Sequence, residues 1–253
     1  MKKYLQIIIL SSLILTFFVG CGNKEDDNNL NTSNNNNNNN EKITDKTKVN
    51  NLSESYAKYV ELKGQKLDAI NNAVEDNESL SLTMAMLGLA TVDLTTIPAT
   101  MCGLDESIAT SALILYSNVK YKMNGSVCTI TFTNAQDDEG KFVADYDKKT
   151  DSTTMSIYEN DNLIMINEYT KIKDGYATLT YTIEEGKGSV YKTYFDKDNI
   201  FVSFFEDVSK PESIFKNNDL TSDYAKNGDA FYFEIVDGVA SGTIDGQPID
   251  LVD

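Results

Sequence analysis

The chain has 253 residues, 41% of them hydrophobic and 24% charged, with Lys+Arg at 22 against Asp+Glu at 39 for a formal net charge of −17. That balance suits a chain most of which folds around an apolar core, in one or two domains. Every basic residue is Lys, and Arg, His and Trp are absent. The composition therefore excludes Ser-His and Cys-His nucleophile pairs, zinc sites built on imidazole, and the guanidinium fork that grips phosphates or carboxylates bidentately.

At the N-terminus, Lys2 and Lys3 precede an apolar run from Leu5 to Val19, closed by Phe18-Val19-Gly20-Cys21. The run is shorter than the roughly 20 residues a membrane span needs, and Gln6, Ser11, Ser12 and Thr16 interrupt it. The pattern of charge, apolar stretch and Gly-Cys resembles a bacterial lipoprotein signal peptide. That resemblance implies removal of residues 1–20 and a diacylglyceryl and acyl anchor on Cys21. It also implies a protein held at the cell membrane and facing the extracytoplasmic side. Phe18 departs from the aliphatic residue usual at that position.

Residues 21–51 read as a tether of Asn, Asp, Glu, Lys, Ser and Thr, with an unbroken Asn run from Asn34 to Asn40 and little apolar surface to bury. As a flexible coil it spans on the order of 30 Å, and about 100 Å at full stretch. Residues 52–253 retain 16 Lys against 34 acidic residues, so the acidity belongs to the folded part. Such a charge repels anionic headgroups and nucleic acid.

Asn51 to Glu54 has capping-box spacing, and Tyr56, Tyr59, Val60, Leu67, Ile70 and Val74 recur at helical intervals, which predicts one amphipathic helix to about Glu75. Ser79 to Tyr116 is rich in Ala, Met, Leu and Thr. Asp93, Pro98 and Cys102-Gly103-Leu104-Asp105 punctuate it, predicting two or three shorter, mostly buried helices. Within it, Met84, Met86, Leu87 and Leu89 read as core or as a pliable apolar surface.

From residue 117 the period becomes two. Asn124-Gly125 signals a hairpin, and further turns fall at Asp138-Glu139-Gly140, Asn160-Asp161-Asn162, Asp174-Gly175, Gly186-Lys187-Gly188, Asp196-Lys197-Asp198-Asn199 and Asp237-Gly238. Cys128, Ile130 and Phe132 alternate with threonines, as do Ala177, Leu179, Tyr181 and Ile183, which predicts one apolar and one threonine-lined face. Leu163 to Ile166 and Ile200 to Phe205 are apolar on both sides and require cover on both. Lys210 to Asp229 is the one long interruption, with a short helix expected after Pro211.

The expected architecture is a single α+β domain over 52–253. Helices in 52–116 pack on a curved antiparallel meander of about eight to ten strands in 117–253. In that order of elements it resembles the half-barrel lipid carriers of the bacterial envelope, the LolA-like group.

Cys102 and Cys128 are an even pair that suits either a disulfide or a buried free thiol. Tyr191, Phe195, Phe201, Phe204, Phe205, Phe231 and Phe233 crowd the last strands, as ordinary sheet core or as the lining of an apolar pocket. The groups Asp145, Asp147, Asp151 and Asp196, Asp198, Asn199 have the spacing of calcium carboxylates and equally of acidic hairpin turns. No nucleophile-elbow, Ser-x-x-Lys, phosphate-loop or metal-ligand motif is present, so no catalytic residue, metal or cofactor is expected. These features point to a non-enzymatic cell-envelope interaction or structural module, its partner an envelope protein. The alternative is a carrier of an apolar ligand held between helices and sheet.

Overall fold

The computed structural model describes residues 51–73, 79–217, 220–228 and 230–249, with the side chains of 68–87 left undescribed. The signal and tether readings, Ile70, Val74, Met84, Met86 and Leu87 thus lie outside what is described. Helix α1 (Leu52–Ala73) opens on a reciprocal cap. The Glu54 backbone N–H donates to Asn51 Oδ1 at 2.9 Å, and Asn51 Nδ2 donates to Glu54 Oε1 at 3.1 Å.

In Ser79–Tyr116, where two or three shorter helices were expected, the first helix, α2 (Ser79–Thr100), runs unbroken through Asp93 and Pro98. A 3-10 turn (Met101–Gly103) and the short α3 (Glu106–Ala112) follow it. Asp93 does not interrupt α2 because its carboxylate is paired inside the fold with Lys63 of α1. Pro98 falls in the last turn of the helix, two residues before its end, where its missing N–H forfeits a single i→i−4 bond without breaking the helix.

Among the described residues, the rest is one antiparallel sheet of eleven strands in simple chain order. They are β1 (Ser117–Asn124), β2 (Val127–Thr133), β3 (Glu139–Asp147), β4 (Ser152–Glu159), β5 (Asn162–Ile172) and β6 (Gly175–Glu184). Then come β7 (Lys187–Phe195), β8 (Ile200–Phe205), β9 (Phe231–Val236), β10 (Val239–Ile244) and the two-residue β11 (Gln247–Pro248). The count exceeds the eight to ten expected because Asp245-Gly246 makes a further tight hairpin. Its φ values are 49° and 74°, the left-handed pair a two-residue turn requires. Asn160-Asp161, Glu185-Gly186 and Asp237-Gly238 turn in the same way.

Cross-strand partners share a face, so the register decides what lies where. Tyr169, Thr178, Thr193, Val202 and Phe233 form one row across β5 to β9. This row faces the main core, which Leu52, Tyr56, Tyr59 and Leu89 of the helices join with Ile130, Phe142, Met155 and Tyr176 of the sheet. The register places the threonine-lined face of β6 inward: Thr178 and Thr180, each 3% exposed, face the helices. Leu179 and Tyr181 point to the opposite side, where they make a second, smaller core with Val190 and Ile214.

The cover on that side is the strap between β8 and β9, described over residues 206–217 and 220–228. The short helix expected after Pro211 is the 3-10 turn Ile214–Lys216, and a second 3-10 turn, Ser222–Ala225, follows it. The strap is fastened by Val208 N–H to Gly188 O at 2.9 Å and by Tyr224 Oη to Thr178 O at 3.1 Å. On the helix side, Cys102 in the 3-10 turn is joined to Cys128 of β2 by a disulfide with Cα atoms 5.5 Å apart.

Candidate ligand-binding site

The first buried polar constellation ties α1 to the sheet and to α2. Asp151, at the tip of the β3–β4 hairpin with φ of 50°, is 8% exposed. Its carboxylate accepts from Ser55 Oγ, from Tyr146 Oη at 3.1 Å and from Tyr176 Oη at 3.1 Å, while Ser55 accepts from Tyr169 Oη at 2.7 Å. Three O–H donors replace the water a carboxylate loses on burial. Burial, then the Asp151 charge, pushes the Tyr146 phenol up to about 12. Two helical turns along α1 from Ser55, Lys63 Nζ lies 2.5 Å from Asp93 Oδ2, with Tyr56 Oη donating to the other oxygen at 3.2 Å. Burial alone would push Lys63 down, but the Asp93 carboxylate and the Tyr59 hydroxyl outweigh it and hold the ammonium above its ordinary value. The rings of Tyr56, Tyr59, Tyr169, Tyr176 and Phe195 pack against one another at centroid distances of 5.4–6.1 Å. Each titratable group here is bonded to another, as in a structural clasp.

The seven aromatic candidates do not converge. Phe195, Phe231 and Phe233 are buried in the main core, with Tyr191 and Phe204 packed against it and stacked on each other at 4.2 Å. Phe201 and Phe205 lie on the other face, Phe205 against the second core and Phe201 beside Tyr194 at 6.0 Å. The carboxylate groups weighed for calcium also go separate ways. Asp147 accepts the Lys149 N–H at 2.8 Å, which holds its carboxyl below the usual range, and Asp151 turns inward. Asp196 is bonded to the backbone N–H groups of Asp198 and Asn199 at 3.0 and 2.9 Å, the geometry of an Asx turn. Among the described residues no group of three or more His, Cys, Asp or Glu is placed to hold a metal ion.

The strap face is different. Two adjoining pockets, of about 340 and 200 Å³, flank the strap where Pro211 to Ser213 cross over Leu179. The larger has Ile166, Leu179 and Tyr181 as its apolar lining, with Glu168 among them and Lys210 and Lys216 as its cationic residues. Glu168 is 7% exposed and accepts the Ile214 N–H through Oε2 at 2.9 Å. The smaller contains Lys192, whose ammonium lies over the rings of Phe205 and Tyr224 at 5.3 and 5.1 Å and is pushed down by burial. Register places Glu168, Leu179, Lys192 and Ser203 in one row, so the two charges stand two strands apart with Leu179 between them.

Sequence reasoning passed over Glu168 and Lys192. The signal available was a charged residue in each of two strands otherwise apolar or threonine-rich, on the face shared with Leu179. No family model, curated protein or solved structure matches the chain.

Proposed function

We propose that this chain is a lipid-anchored, extracytoplasmic lipoprotein whose folded domain acts as a non-enzymatic interaction or structural module of the cell envelope. Cys21 carries the anchor, residues 22–51 give it reach, and the acidic domain, helices packed on a curved sheet, stands off the membrane to meet an envelope protein. The observation that carries this reading is the fate of the buried polar and aromatic groups in the helix layer. Lys63 is spent on Asp93, and Asp151 on three hydroxyls. This leaves recognition to the outer surface.

A carrier with its apolar ligand between helices and sheet is the second reading, and it draws on the same aromatic strands. It is less favoured because five of the seven candidate rings already pack within the main core.

Expression of the full chain in bacteria fed an alkyne analogue of palmitate tests the anchor. Label on the wild-type chain, lost together with membrane association in Cys21→Ser, is the expected result. An unlabelled wild-type chain recovered in the soluble fraction overturns the proposal.

A further inference from the structure

We propose that the larger pocket beside the strap binds a small aliphatic primary amine in its ammonium form, with the Glu168 carboxylate as counter-charge. The inference goes beyond the envelope-module reading and does not depend on the anchor.

A carboxylate this deeply placed normally takes a cationic partner or several N–H donors, because an ion stripped of water is costly to leave half satisfied. Among the described residues, Glu168 has one donor, Ile214 N–H on Oε2, and no lysine within ion-pair distance. Its neighbours do not supply the missing charge. Lys216 is paired with Glu212 at 3.5 Å, Lys192 lines the other pocket, and Lys210 is exposed.

The surroundings fit the rest of such a ligand. Ile166, Leu179 and Tyr181 supply an apolar wall, and about 340 Å³ falls at the lower end of the range for small-molecule sites. The strap beside the site is fixed in place. Tyr181 lies against Gly188, where a Cβ would come within 2.6 Å of its ring, and the strap is tied down at Gly188 O and at Glu168 itself. An ammonium donating to Oε1 with its chain along Leu179 and Tyr181 would satisfy the carboxylate and cover apolar surface together. A carboxylate ligand would meet Glu168 with like charge, and an alcohol would leave it uncompensated.

Titration calorimetry on the full chain in a neutral detergent, with n-pentylammonium, n-pentanol and n-pentanoate, tests this. The expected result is saturable binding of n-pentylammonium, with n-pentanol at least tenfold weaker and n-pentanoate silent. In Glu168→Gln, which keeps an acceptor for Ile214 N–H, n-pentylammonium binding should fall at least tenfold with the thermal midpoint little changed. Equal affinity for n-pentylammonium and n-pentanol, preference for n-pentanoate, or no heat with any of the three overturns the proposal. The selectivity among probes is read on the native chain, so it stands even where the variant folds poorly.

Discussion

Replacing Lys63 by Met strands the Asp93 carboxylate in the layer between α1 and α2. The ammonium that neutralises it at 2.5 Å is 3% exposed, so water cannot take its place without opening the helix pair. Breaking one partner of a buried ion pair costs about 3–5 kcal/mol. For a domain of this size that lowers the thermal midpoint by about 6–20 °C. Adding Asp93→Leu removes the stranded charge and leaves only the Tyr56 hydroxyl without its acceptor. The double variant should therefore lie about 1–3 kcal/mol below wild type, well short of the sum of the single losses. Urea unfolding of wild type, both single variants and the double variant completes the cycle. A Lys63→Met loss under about 1 kcal/mol, or strict additivity in the double variant, would refute the account of a clasp held by this pair.

Reduction of the Cys102–Cys128 disulfide, or its replacement by two alanines, should cost about 3.5 kcal/mol, from the loop-entropy relation applied to its separation of 26 residues. Urea midpoints with and without reductant measure it. Asp151→Ala leaves Ser55, Tyr146 and Tyr176 without their common acceptor and should cost about 3–5 kcal/mol, read in the same assay; a loss within experimental error would remove the hairpin tip from the clasp.

Stability should also fall in alkali. Burial, ahead of the Asp151 charge, raises Tyr176, and the Asp93 pairing raises Lys63. Raised groups hold their protons more tightly when folded. Their contribution is therefore complete below the unfolded-state values near pH 10 and is lost as pH rises beyond them. Unfolding free energies constant from pH 7 to 9.5 and declining by pH 11 are expected, with Tyr176 ionising only as the fold is lost. A Tyr176→Phe variant should leave the folded-state tyrosinate titration unchanged, whereas loss of folded-state absorbance in the variant would contradict this.

Local chemistry was legible wherever it is decided within a few residues. The Asn51–Glu54 cap and the Asn160-Asp161 and Asp237-Gly238 turns follow from side-chain reach and from left-handed φ, and all are readable from neighbours in sequence. Asp93 misled because its pairing with Lys63 joins positions thirty residues apart, and only the folded packing shows that a polar residue is carried inside a helix. Which face of β6 is inner was not legible for a related reason. Period-two alternation reveals that two faces differ but not which is inside. Here threonines meet the helices, while the larger Leu179 and Tyr181 pack against Val208, Ile214 and Tyr224 of the segment between β8 and β9. The Glu168 pocket was out of reach for the same cause, since its wall is built from β5, β6 and a segment about thirty residues beyond Tyr181.

Native mass spectrometry of the full chain gently purified from bacteria tests the central functional claim most directly. The account predicts a chain beginning at Cys21 whose acyl mass survives denaturation, with no lipid-sized non-covalent adduct in the native spectrum. A mass that retains residues 1–20 without acylation, or a discrete lipid adduct that disappears on denaturation, would contradict it.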